Sequence, residues 1–195
     1  MQSYESVLDG ILVIENQSFK DDRGHFLELF KKDKFQEKNN LDITFVQDNF
    51  SRSKKGVLRG LHAQKNNPQG KLVTCTRGSA LDVVVDINPS SKNFGKYFSI
   101  EISEFNNIQI WVPPQYAHGF CALSSVTDIH YKCTNFYDPN DEIGLIWNDK
   151  DVSIPWPLKN PIVSNKDKCL PSLSQIQNGF YNIIVKTGDT NERAD

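Results

Sequence analysis

The stretch Leu81-Asp82-Val83-Val84-Val85-Asp86-Ile87 is followed directly by Asn88-Pro89-Ser90-Ser91. Its apolar residues Leu81, Val83, Val85 and Ile87 alternate with period two, the signature of a strand that buries one face. The residues after it are turn formers, because asparagine and serine hydrogen-bond their own backbone and proline presets φ. The same grammar repeats downstream. Phe98, Ile100 and Ile102 alternate, as do Ile108, Ile110 and Val112, with Gly78, Gly95 and Asn106-Asn107 between the runs. Short strands at close spacing, with no intervening helical pattern, predict an all-β sandwich or barrel.

Helix is scarce. Lys31 to Asn39 predicts a short one with Phe30 and Phe35 turned inward, and a second is expected to begin near Pro171, since proline suits a first helical turn. After Gly179 an apolar group (Phe180, Tyr181, Ile183, Ile184, Val185) gives way to a polar end, and the last several residues are expected to form a flexible tail. With no repeat, low-complexity block or linker, residues 1–195 are expected to form one domain.

A net charge of −2 with dispersed basic residues argues against nucleic acid or an anionic membrane as partner, while leaving room for a small anionic ligand. No apolar run approaches the roughly 20 residues of a membrane span, and no signal-peptide pattern opens the chain. Cys75, Cys121, Cys133 and Cys169 are far apart, which suits buried, reduced thiols in a cytoplasmic protein rather than a zinc knuckle or a disulfide framework.

Several segments carry chemistry. Gly56-Val57-Leu58-Arg59-Gly60-Leu61-His62 sets a cation and an imidazole beside two glycines, and His62 reads either as a general base or as a structural histidine. In Gln69-Gly70-Lys71, Lys71 reads as a barrel-facing ammonium able to stabilise an enolate oxygen, or as a surface lysine. His118 follows the rigid Pro113-Pro114 turn, and Tyr131 lies on a strand where it either donates a proton or packs. Ser164-Asn165-Lys166-Asp167 offers a carboxylate able to hold a histidine in one tautomer, or merely a turn. Singly, none of these decides between its two readings.

Their order and wording do. Asp22-Arg23-Gly24-His25-Phe26-Leu27-Glu28, Phe45-Val46-Gln47-Asp48-Asn49, the His62 segment, Gln69-Gly70-Lys71-Leu72-Val73, Asp82-Val83-Val84-Val85-Asp86, Ala117-His118-Gly119-Phe120, Tyr131-Lys132-Cys133-Thr134, Trp147-Asn148-Asp149 and Ser164-Asn165-Lys166-Asp167 run in order from about Gly10 to Pro171. In this the chain resembles the dTDP-4-dehydrorhamnose 3,5-epimerase family of the cupin superfamily. The resemblance implies a cupin-type jelly-roll barrel with a few short helices, usually a homodimer, that needs no cofactor and no metal. It implies a nucleotide-sugar substrate, inversion of C3 and C5 of dTDP-4-dehydro-6-deoxyglucose through an enolate, and a place in rhamnose supply for surface polysaccharide.

By the same resemblance His62 is the base, Asp167 its orienting carboxylate, Tyr131 the opposite-face proton donor and Lys71 the cation beside the ketone. Arg23, Phe26, Glu28, Gln47, Asn49, Arg59, His118, Glu142 and Lys166 match positions that contact nucleotide or sugar. Three departures stand out: Ala63 where an aromatic is usual, which is expected to open space near the site, Gln115 for a glycine, and Cys133 in a threonine-like slot. Three rivals remain at this point. A metal-dependent cupin wants a histidine two residues after His62, where Gln64 stands. A one-centre epimerase or 3,4-ketoisomerase, and a non-catalytic binder of nucleotide sugars, share most of the same wording.

Overall fold

In the computed structural model of the chain, residues 2–179 are described. The apolar group after Gly179 and the expected flexible tail fall outside them. Strands β1 (Gln2–Glu5), β2 (Leu12–Glu15), β3 (Ser18–Asp21) and β4 (Gly24–Leu27) precede helix α1 (Lys32–Asn39). Eight strands follow: β5 (Gln47–Lys54), β6 (Val57–Gln64), β7 (Lys71–Arg77), β8 (Ser79–Asp86), β9 (Tyr97–Ser103), β10 (Ile108–Val112), β11 (Tyr116–Ala122) and β12 (Val126–Cys133). Two short strands, β13 (Glu142–Gly144) and β14 (Ile162–Val163), a single 3₁₀ turn at Asp167–Cys169 and helix α2 (Leu173–Gln177) close the described chain. The expected helices are both there, the second starting just beyond Pro171 with Ser172 as its cap and Gln175 completing a capping box.

One sheet has the strand order β1-β2-β10-β7-β12-β5 and the other β13-β6-β11-β8-β9, each antiparallel along its length. β14 adds to β6 in parallel, and β3 and β4 form a separate hairpin. The two sheets face each other across a core that draws Val73, Ile110, Ile129 and Tyr131 from the first and Ala80, Val84, Ile102 and Phe120 from the second. This is the expected jelly-roll barrel.

The simple one-face reading of the strands does not hold for β8. Its alternating set Val83, Val85 and Ile87 points away from the barrel, into a layer formed with Leu61, Leu145, Val152, Leu173 and Ile176. The intervening residues Ala80 and Val84 are the ones that face the barrel core. The polypeptide after β13 covers the outside of the second sheet, so both faces of β8 are dry and the run reads as continuous Val rather than as strict alternation. On the outside of the first sheet, α1 lays Phe35 against Trp111 and Phe45, with Phe30 at the margin. With the second sheet covered outside and the first covered around Trp111, burial on these outer faces leaves the barrel interior free to carry polar residues. Cys75, Cys121 and Cys133 are buried free thiols, whereas Cys169 is exposed.

Candidate active site

In a regular strand two residues three apart point to opposite faces. Arg59 and His62 nevertheless share one. His62 pairs with His118 and Arg59 with Phe120, so two residues of β6, Gly60 and Leu61, oppose the single Gly119 of β11. That bulge flips the side-chain parity within β6. Gly60 adopts φ +115°, and a Cβ there would lie 2.7 Å from Gly119 Cα, so the bulge needs glycine at this position. Beyond it, Leu61 joins the outer layer while His62 and Gln64 face inward.

The inward side chains surround a polar cavity of about 650 Å³, counting the space open to solvent at its entrance. The second sheet contributes His62 and Gln64 from β6 and Glu142 from β13. The first sheet contributes Lys71 from β7, Tyr131 from β12, and Gln47 and Asn49 from β5; Tyr137 comes from the loop after β12. The sheets thus approach one space from two sides. Three amides hold the Tyr137 loop over it. Gln47 Oε1 accepts from Tyr137 N at 2.9 Å, Gln64 Oε1 from Asp138 N at 2.7 Å, and Gln69 Nε2 donates to Asn135 O at 2.8 Å.

Asp167, at the 3₁₀ turn, stands behind the cavity-lining His62. Its Oδ1 is 2.7 Å from His62 Nε2, its Oδ2 accepts from Gly60 N at 3.2 Å, and its own N–H is held by Ser164 Oγ at 3.0 Å. Burial by itself would raise this carboxyl, but the His62 hydrogen bond and charge, the Gly60 amide and Lys166 together outweigh it and hold Asp167 below the ordinary carboxylate range. An ionised carboxylate only accepts, so Nε2 carries the proton of the neutral imidazole and Nδ1 carries the lone pair. Glu142 Oε1 stands 3.8 Å from the same Nε2, with Lys166 Nζ at 2.7 Å from that oxygen and the Tyr137 hydroxyl donating to Oε2 at 2.6 Å.

Lys71 stands half-buried on the opposite wall, its Nζ 6.0 Å from the centre of the Tyr131 ring. Burial lowers its pKa below that of an ordinary lysine, against the pull of Cys133, Glu142 and Asp82. Cys133 lies directly opposite Lys71 on β12, and burial raises its thiol.

The predicted residues therefore divide into groups. His62, Lys71, Tyr131, Gln47, Asn49 and Glu142 line the cavity, and Asp167 and Lys166 are bonded to members of that lining. His118 and Arg59 share the inner face but engage Asp82 (Nε2 to Oδ2, 2.8 Å) and Ser53 (Nε to Oγ, 3.1 Å). The exceptions are Arg23, Phe26 and Glu28, which do not reach the cavity of their own chain. The β3–β4 hairpin holds the first two outside the barrel, Arg23 paired with Asp21 and Phe26 66% exposed, and Glu28, just past the hairpin, pairs with Lys34. Ala63 was expected to open the site. It packs with the outer layer, standing one residue from His62, and it is also among the residues that line the cavity.

Sequence reading missed Tyr137, Gln64 and Asp82 as functional candidates. Gln64 was signalled by its spacing of two from His62. Asp82 was signalled by a carboxylate inside an otherwise apolar run. Tyr137 lies in a loop, where no periodicity points at anything.

Fold and site define a jelly-roll barrel whose interior holds a buried imidazole–carboxylate pair facing a phenol and an ammonium across one cavity. The chain belongs to the dTDP-4-dehydrorhamnose 3,5-epimerase family, whose sequence profile matches residues 5–175. It is 45% identical over 168 residues to the dTDP-4-dehydrorhamnose 3,5-epimerase of Shigella flexneri, covering 86% of this chain and 93% of that one. The enzyme of the same name from Escherichia coli strain K12 is 42% identical over 178 residues, 90% of this chain and 96% of its own. The solved structure of dTDP-6-deoxy-D-glucose-3,5-epimerase from Legionella pneumophila Philadelphia 1, in complex with dTDP-4-keto-L-rhamnose, superposes with a TM-score of 0.88 at 39% identity. That match covers 92% of this chain and 96% of the other.

Proposed function

We propose that the chain epimerises dTDP-4-dehydro-6-deoxyglucose at C3 and C5, giving dTDP-4-dehydrorhamnose. The observation that carries this reading is the shared cavity: His62 enters it from one sheet, and Tyr131 and Lys71 enter it from the other. A C–H bond beside a ketone is acidic because its carbanion delocalises as an enolate. Inverting the carbon requires removing that proton on one face of the ring and returning one on the other. His62 Nδ1 takes the proton while Asp167, bonded to Nε2, stabilises the imidazolium that forms. Lys71 stabilises the enolate oxygen, the kind of electrostatic contribution that is usually the largest in such sites. Tyr131, whose phenol carries a proton that it can donate, supplies one to the opposite face. The family's identity at over two-fifths of positions supports the same substrate class.

Arg59 and His118, on the inner face, suit the diphosphate, since guanidinium and imidazolium both pair with phosphate oxygens. Arg23, Phe26 and Glu28 lie outside the cavity of their own chain, and their match to ligand-contacting positions is reconciled by a homodimer in which each β3–β4 hairpin serves the other copy's cavity. Mixing inactive Phe26→Ala and His62→Ala chains then restores part of the activity, because one of the two hybrid sites is intact. Absence of recovery in verified mixed dimers rejects the shared site.

Turnover in heavy water, followed by NMR, tests the reaction itself. Deuterium at both C3 and C5 is the expected result. Label at one carbon alone identifies a one-centre epimerase, a migrated ketone identifies a ketoisomerase, and binding without exchange identifies a nucleotide-sugar receptor. His62→Ala is expected to fold and to lose nearly all exchange.

A further inference from the structure

Glu142 and Lys166 were expected to contact ligand, yet within the site they are engaged with each other. One Glu142 oxygen meets Lys166 Nζ at 2.7 Å and the other accepts the Tyr137 hydroxyl at 2.6 Å. The carboxylate that Lys166 holds is also 3.8 Å from His62 Nε2, and its side chain is only 2% exposed. His62 therefore has two buried carboxylates at the same nitrogen, Asp167 at 2.7 Å and Glu142 at 3.8 Å. Nε2 has one proton to give, and Asp167 takes it. At 3.8 Å Glu142 acts on the ring through space.

That arrangement poses a problem for a base. A carboxylate within about 4–6 Å stabilises the protonated form of a neighbouring group. Two of them, uncompensated and screened from water, would hold the ring as imidazolium, and an imidazolium cannot abstract a proton. Lys166 sits where it cancels the second carboxylate. The other charged or titratable groups on this side of the barrel are His118, opposite His62 on β11 and itself bonded to Asp82, and Arg59 one bulge away on β6. Across the cavity stand Lys71 on β7 and Tyr131 on β12, with Tyr137 in the loop above. Lys166 places its ammonium 2.7 Å from Glu142 Oε1.

We infer that Lys166 and Glu142 form a charge-compensating pair that sets the proton affinity of the proposed base His62, and so act as positioning residues rather than as ligand contacts alone. The inference rests on the reading of His62 as base. It makes a prediction with two opposite signs. Glu142→Gln removes the anion and leaves the ammonium, so the His62 ring takes up its proton at lower pH. Lys166→Met removes the ammonium and leaves the anion, so the ring takes it up at higher pH. Each shift is expected to be about one pH unit, the lower end for a charge at this range. The double variant returns close to wild type, and Lys166→Arg, which keeps the charge, stays there.

The measurement is NMR titration of the His62 ring in full-length protein labelled at histidine, assigned with a His62→Asn control. It is read beside the acid limb of the pH profile of kcat/KM. Ring titration needs no substrate. If the wild type fails to exchange C3 and C5 protons, the functional reading falls while the titration still decides this inference. Opposite shifts that cancel in the double variant support it. Shifts of the same sign, or an unmoved midpoint in either folded single variant, overturn it. Should Glu142→Gln fail to fold, Lys166→Met against Lys166→Arg decides alone, because the pair isolates the charge on a stem of similar length; equal midpoints overturn the inference.

Discussion

Asp167→Asn asks the site to do with one acceptor what the carboxylate does with two. Asp167 accepts from His62 Nε2 at 2.7 Å and from Gly60 N at 3.2 Å, and it is 3% exposed. An amide brings one acceptor and one donor. If its oxygen faces His62, its NH₂ confronts the Gly60 N–H. If it flips, the NH₂ donates to Nε2, and the ring must shift to the tautomer with the proton on Nδ1, the nitrogen assigned to abstraction. The first arrangement strands a buried donor, at about 1–3 kcal/mol out of a total stability of about 5–15. The second removes the base, and the comparable change in serine proteases lowers kcat about 10⁴-fold by the same tautomer error. The variant is therefore expected to lose about 10²–10⁴ in kcat, with a smaller change in KM and a melting temperature lower by several degrees at neutral pH.

The pH dependence supplies a second check on the same substitution. Because the folded carboxyl lies below its unfolded value of roughly 3.9, the unfolded chain binds more protons there, and stability rises with pH. Its contribution is complete above that value and fades as pH falls through the folded one. The stability gap between wild type and variant should accordingly narrow on acidification below about pH 4. Steady-state kinetics by NMR and thermal melts across pH provide the data. Turnover within about tenfold of wild type, or a gap in stability that ignores pH, would refute the reasoning.

Two further substitutions separate function from stability. Lys71→Met is expected to depress turnover by removing the proposed enolate cation, yet to raise stability, since a lysine pKa lowered by burial marks a cost of holding the charge there. That cost is present at neutral pH and is relieved as alkaline pH strips the proton from the folded state, so the stability advantage of Met over Lys shrinks with rising pH; a lower melting temperature in the variant at neutral pH rejects this account. Gly60→Ala is expected to cost at least about 2 kcal/mol, from φ +115° and from the 2.7 Å approach to Gly119 Cα, and to lose activity along with it. Wild-type melting and turnover in the Gly60→Ala variant would show that the bulge tolerates a side chain.

The alternating runs and their turns made the all-β class legible, and Pro171 located the last described helix to within two residues, although it precedes the Ser172 cap rather than standing in the first turn. What alternation did not convey is which face looks inward. In β8 the most apolar register faces a cover made by residues some sixty or more positions later, Leu145, Val152 and Leu173 among them, and no local pattern encodes that cover. Arg59 and His62 posed the converse difficulty. Counted by two, they belong on opposite faces, and only the pairing with Gly119 shows that Gly60 resets the count. The imidazole–carboxylate pair spans 105 positions in sequence, so it was accessible through family wording but not through spacing. The same wording attached Arg23, Phe26 and Glu28 to the ligand without saying in which copy's cavity.

The geometry also bears on why a two-sheet barrel serves this chemistry. Side chains on one face of one sheet all approach from the same side, so a single sheet cannot flank a sugar ring with an acid and a base on opposite faces. Two sheets packed about 10 Å apart can, provided the core between them is interrupted by polar residues over the width of a pyranose. Here the interruption is local. Val73 and Ile129 keep the core dry beside Tyr131, while Lys71 at the start of β7 and His62 toward the end of β6 occupy the stretch where the apolar residues stop. Polar residues there would be costly if the outer faces were bare, because the barrel core would then be the main source of apolar burial. The covers on both outer faces, one centred on Trp111 and Phe35 and the other on Leu61 and Ile176, supply burial that the barrel interior gives up. On this argument, loosening the cover around Trp111 and Phe35 should reduce stability before it disturbs the proton-transfer groups, whereas loosening the cover around Leu61 and Ile176 should disturb both together, because the segment that forms it also carries Asp167, the hydrogen-bond partner of His62.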